Sequence, residues 1–133
     1  MATVALPRPL VNRLLAAAQR AAGDGAPGAL DVVGVIGARD GLPRHCHALD
    51  PHTPPATAAR RLREAGETLF AVYATRPQRA AVPAAAEIAR WGDPAPLHLS
   101  LCLDTRGVLE VRAFRLQGGE VREVAVELAG AGR

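Results

Sequence analysis

The triplet His45-Cys46-His47 holds the densest run of donor atoms in the chain. On a strand alternate side chains share a face, so His45 and His47 point one way and Cys46 the other. Two imidazoles so placed are half of a metal site, and His52 or Asp50 in the next loop could add a third ligand. The spacing matches no zinc signature, so this metal reading of His45 and His47 stands against a plainer one, an exposed polar strand face. His98 and Cys102 alternate with Leu97, Leu99, Leu101 and Leu103. His98 is expected to be a satisfied core or face histidine, and Cys102, on the same face, an inert thiol. Two cysteines cannot build a disulfide framework, and reduced thiols are expected. Arg60, Arg61 and Arg63, with Arg13 and Arg20, raise the question of nucleic acid. Arg60, Arg63 and Glu64 fall on one helical face, however, and a solvated, acid-paired face is expected. The glycines of 23–28 and Gly118-Gly119 lack the Lys and Ser/Thr of a phosphate loop.

The elements that must position these groups follow from periodicity and punctuation. Thr3 to Leu6 reads as a short strand. Pro7 and Pro9 mark a helix start, and Leu10, Val11, Leu14, Leu15, Ala18 and Ala22 recur at helical spacing. The valine-rich run Leu30 to Ile36 reads as a buried strand. Arg39-Asp40-Gly41 turns it into a second strand, Leu42 to Leu49. Thr53 before Pro54 is read as the cap of a helix that ends near Gly66. Thr68 to Tyr73 is a strand, Ala84 to Trp91 a short helix, and Leu97 to Leu103 a strand. Val108 to Leu116 and Glu120 to Leu128 close the chain as a meander. The mixed order predicts one α/β domain over 1–133, with a mixed β-sheet flanked by helices.

Composition narrows the function classes. The chain has 133 residues, long enough for a core without metal or disulfide staples. Only 3% of residues are aromatic, so the core is built from Leu, Val and Ala. That excludes an aromatic stacking platform for single-stranded nucleic acid. Every basic residue is Arg, and the net charge is +3. The sequence pI of about 9.6 therefore reflects arginine in place of lysine more than a basic face. The apolar run Leu14 to Ala18 is shorter than a secretory core, and no stretch approaches a membrane span. A cytoplasmic chain without cofactor, nucleic acid or membrane partner is expected.

The stretch Leu69 to Ile88 carries a resemblance. Leu69-Phe70-Ala71-Val72-Tyr73 runs into Ala74-Thr75-Arg76-Pro77, and after a loop Pro83-Ala84-Ala85-Ala86-Glu87-Ile88 opens a helix. This is similar to the JAMM/MPN-domain (JAB-type) metalloprotease family, which cleaves peptide or isopeptide bonds at the tails of ubiquitin-like proteins. Leu6-Pro7 with the first helix, His47-Ala48-Leu49-Asp50-Pro51, and Ala113-Phe114-Arg115 with Gly118-Gly119 extend the likeness over nearly the whole chain. It implies a JAMM/MPN-like fold of cytidine-deaminase-like architecture. By that resemblance the two zinc-binding histidines fall on Ala74 and Arg76, the serine between them on Thr75, and the Asp ligand on Glu87. The oxyanion serine falls on Ala84. The general-base glutamate falls on Gly25, with Asp24 one residue away.

Those substitutions remove the inherited chemistry. Catalytic zinc needs three protein ligands and an open position for water. Ala74 has no donor atom, and Arg76 is a permanent cation without a lone pair. Without zinc no water is activated near neutral pH. A degenerate member, inactive as an enzyme, is expected. Arg76 is expected to fork onto Glu87 and fill the former metal hole, the alternative being two ordinary surface residues. The resemblance implies a protein-interaction or scaffold role, with a ubiquitin-like or sulfur-carrier protein tail, or an active partner, as the bound species. Two alternatives stay open: a divergent zinc metallopeptidase with its metal relocated to His45 and His47, and a small-ligand binding module.

Overall fold

Ten elements follow one another: β1 (Thr3–Leu6), α1 (Arg8–Gly23), β2 (Val32–Arg39), β3 (Leu42–Ala48), α2 (Pro55–Glu64), β4 (Thr68–Thr75), α3 (Ala85–Ala89), β5 (Leu97–Leu103), β6 (Leu109–Gln117) and β7 (Glu120–Leu128). The computed structural model describes residues 3–23, 32–49, 53–75, 82–92, 95–103 and 108–128. The seven strands form one mixed sheet in the order β1-β7-β6-β5-β4-β2-β3. The β4–β5 and β1–β7 pairs are parallel and the others antiparallel. The expected mixed α/β class is present.

The sheet is buried on both faces at its centre, which is why β2 and β4 read as apolar runs. On one face α1 lays Leu10, Leu14 and Ala17 over Ile36, Ala71, Tyr73, Leu99, Leu101 and Ala113. On the other, Ala58 and Leu62 of α2 and Trp91 beyond α3 pack on Val35 and Val72. Among the described residues no helix is long and apolar enough to cross a membrane.

Three local expectations change. β4 runs two residues beyond Tyr73, because Ala74 and Thr75 continue the ladder to Ser100 and Leu101 of β5. The short helix expected over Ala84 to Trp91 closes only over Ala85–Ala89, and Gly92 leaves it at φ +124°. The N-cap of α2 is Pro54 rather than Thr53, and it makes no side-chain capping bond. Pro55 at the first helical position has no N–H to satisfy.

Candidate functional site

Four positions of the family-like motif are described. Ala74 is fully buried. It pairs laterally with Ser100, and Ser100 with Arg112, so the three form a row across β4, β5 and β6. Paired residues share a sheet face, which places this row beside His98 and Phe114. Ser100 and His98 are buried within it, and so is Cys102. Thr75 is buried at the end of β4, on the opposite face. Ala84 caps α3, and its backbone N–H donates to Glu87 Oε1 at 3.2 Å. That is the return half of a capping box, so helix capping occupies the one carboxylate of the motif. Gly25 and Arg76 lie outside the described residues, as do Asp24, Asp50 and His52, and with them the expected Arg76–Glu87 pair. An arginine does stand in the row, but it is Arg112. It forks onto Glu123 of β7 at 2.7 and 3.1 Å and lies over the Phe114 ring at 5.2 Å.

The second place is at the other end of β4, where Glu67 precedes the strand. His45 pairs with Gly37 and His47 with Val35, so both imidazoles lie on the α2 face, and Cys46, opposite Ile36, lies on the α1 face. The alternation expected from the sequence holds. The exposed polar strand face holds for His45 and less so for His47, and both rings close on Glu67. His45 Nδ1 lies 2.5 Å from Glu67 Oε2, and His47 Nε2 lies 2.7 Å from Oε1. The Glu67 side chain is 1% exposed, against 61% for His45 and 30% for His47.

Glu67 is held by the way α2 ends. Gly66 takes φ +77°, a left-handed residue at the helix C-terminus. The Glu67 N–H returns to Leu62 O at 2.8 Å and the Gly66 N–H to Arg63 O at 3.0 Å. This is the Schellman arrangement, and the residue at Glu67's position in it is commonly apolar and packs back on the helix. Here a carboxylate sits there instead, lying over Gly37. A Cβ at Gly37 would overlap Glu67 Oε1 and stand 2.9 Å from Leu62 Cδ2. Burial pushes the Glu67 carboxyl up, but the hydrogen bonds from His45 and His47 outweigh it and hold it below the ordinary carboxylate value. An ionised carboxylate only accepts, so both imidazoles must donate. The donating atoms are Nδ1 of His45 and Nε2 of His47.

Glu67 escaped the reading of the sequence. Two signals pointed to it: a charge directly after the helix-ending Gly66, and a glycine, Gly37, inside a valine-rich strand, where it marks close approach of another group. Among the described residues no group of three or more His, Cys, Asp and Glu side chains could hold a metal ion. The three donors of this cluster meet through hydrogen bonds instead.

No family model matches the sequence, and no curated protein matches it. Solved structures do resemble it. The solution structure of a structural-genomics target from Desulfitobacterium hafniense is similar at TM-score 0.66 and 21% identity, over 94% of this chain and 92% of that one. A solution structure from Salinibacter ruber is similar at TM-score 0.56 and 16% identity, over 99% of this chain and 94% of that one. At these identities the likeness is one of fold.

Proposed function

We propose that the chain is a catalytically inactive relative of the JAMM/MPN metalloproteases that serves as a protein-interaction module, its ligand the extended tail of a ubiquitin-like or sulfur-carrier protein. The observation that carries this reading is Ala74. The position matching the family's first zinc-binding histidine is a fully buried methyl group. Its lateral neighbour is a serine, and the Glu87 carboxylate of the motif is engaged by the Ala84 N–H. Such a place offers zinc fewer than the three ligands it needs. The mixed order of strands and helices is compatible with a fold of that type, with cytidine-deaminase-like layering. A scaffold that keeps its recognition surface while losing its metal is a binding module by default, and strand addition is the mode that suits an extended tail.

The test is a titration of the isotope-labelled chain with a ubiquitin-like carrier ending in Gly-Gly, beside incubation with the same carrier extended at its C-terminus. Binding with the extension left intact, with or without zinc, is expected. Removal of the extension would make the chain a hydrolase, in line with the relocated-metal alternative. Absence of binding would remove the carrier tail as ligand.

A further inference from the structure

We propose that His45 is a phosphoryl-accepting site: its Nε2 takes a phosphoryl group from a small anionic donor of the phosphoramidate class, with Glu67 as the positioning residue behind the ring. The inference is separate from the binding role above. The ring is anchored on one edge and open on the other. Its Nδ1 donates to Glu67 Oε2 at 2.5 Å, and the His45 side chain is 61% exposed while the carboxylate side chain is 1% exposed. A neutral imidazole carries one N–H and one lone pair. With Nδ1 donating, the lone pair of His45 is on Nε2, at the tip of the ring. A nucleophile oriented from behind by a fixed acid is a recurrent arrangement in covalent chemistry. Glu67 is itself held by Gly37 beneath it, by the Schellman turn and by a second bond, from His47 Nε2 at 2.7 Å. The two rings are not equivalent. His47 spends its tip nitrogen on the carboxylate and is left with Nδ1, next to its own backbone, on a side chain only 30% exposed. His98 is buried.

Charge decides for a phosphoryl donor over an uncharged acyl donor. Arg61 and Arg63 lie in the last turn of α2, and Arg39 donates to Ala65 O at 3.1 Å, just before Gly66 and Glu67. The acids at that end are Asp40 in the β2–β3 turn, Glu64 with Arg60 3.8 Å away, and Glu67 buried behind the imidazoles. The arginines outnumber them, and such a surface draws an anionic donor. In the transfer, Nε2 attacks phosphorus, the P–N bond of the donor breaks, and its electron pair leaves on ammonia. The donor reacts as its zwitterion, already protonated on nitrogen, so no proton is taken from the ring. The ring keeps its Nδ1 proton and becomes a phosphoimidazolium cation. The bond from Nδ1 to Glu67 then joins a cation to an anion, the strong class of hydrogen bond. Glu67 thereby stabilises the charge that builds on the ring during attack.

The experiment incubates the full chain with phosphoramidate at pH 8 and follows it by intact mass, phosphorus NMR and site mapping under alkaline conditions. One acid-labile phosphoryl group per chain is expected, on Nε2 of His45, and none in His45→Gln, whose amide can still bond Glu67. Glu67→Gln should slow the transfer about tenfold, the scale of one charge-assisted hydrogen bond, while circular dichroism keeps its native form. His45 in the urea-unfolded chain should react at the same slower rate, which gives the comparison without a variant. A native chain that stays unmodified overturns the proposal. So does a group placed first on His47 or His52, or a His45 rate that is the same in the native chain, in Glu67→Gln and in urea.

Discussion

The Glu67 carboxylate occupies the space that a side chain on Gly37 would fill, with Leu62 closing the other side of that space. A strand glycine is usually a weakness, but here it is the floor under a buried charge. Gly37→Ala must push the carboxylate off its two histidines or shift β2. Overpacking of this kind costs about 1–3 kcal/mol. Gly41→Ala is the informative control. It meets nothing within 4 Å, and its cost comes only from φ +77° in the β2–β3 turn, about 1 kcal/mol. Chemical denaturation of both variants should rank Gly37→Ala as the more damaging, and only Gly37→Ala should disturb the His45 and His47 ring signals.

Removing the histidines should harm the protein more than neutralising the glutamate. With His45→Ala/His47→Ala the buried carboxylate keeps its charge and loses both donors, a change of the kind that costs about 3–5 kcal/mol. With Glu67→Gln the charge goes, and one amide–imidazole bond can re-form, so the loss is about 1 kcal/mol. The comparison is made at neutral pH in chelator, so that no ion contributes. Equal losses in the two variants would show that the histidines are bystanders to an acid that burial alone accommodates.

How much of this was legible in the sequence depends on the range of the interaction. The strands, the Asp40-Gly41 turn and α1 were readable because apolar period and turn chemistry are local. The phase of His45, Cys46 and His47 was readable for the same reason, since alternation needs only the strand. Glu67 was not, because its partners lie 20 and 22 residues earlier and meet it only once β2 pairs with both β3 and β4. Gly34 and Gly37 carried a trace of that packing. A Cβ at Gly34 would overlap the Tyr73 hydroxyl, and one at Gly37 the Glu67 carboxylate, so the two glycines of one strand make room for a large side chain from β4 and an acid from the turn before it. The end of β4 was misjudged because Ala74 and Thr75 look like a loop entry, and their strand character comes from the parallel pairing with β5.

The two thiols should be slow to react in the native state. Burial pushes Cys46 up to about 11, against a smaller opposing pull from Arg13, and Cys102 is buried. The thiolate is the reacting species. A thiol raised this far holds roughly a hundredfold less thiolate at pH 8 than an unperturbed cysteine. Alkylation of the native chain should therefore be slow at pH 8, rise about tenfold per pH unit toward 11, and become fast at once on unfolding. Rapid native labelling of Cys46 at pH 8 would contradict its placement on the α1 face opposite Ile36.

The resemblance to the JAMM/MPN family can be tested by restoring what is missing. Ala74→His alone should cost about 1–3 kcal/mol, since an imidazole must enter a fully packed position. It should gain no zinc, because one new ligand beside Glu87 leaves the set short of three. Adding Arg76→His and Glu87→Asp removes a cation, supplies a second imidazole and shortens the carboxylate. The carboxylate must also give up its bond to the Ala84 N–H, which a shorter side chain makes easier. If the residues have been matched to the right positions, the triple variant binds zinc at a site independent of His45 and His47. Performed in a His45→Ala/His47→Ala background, the titration reads only that site. One ion per chain there would align Ala74, Arg76 and Glu87 with the family's ligands, and no gain over the background would break the alignment on which the inactive-relative reading rests.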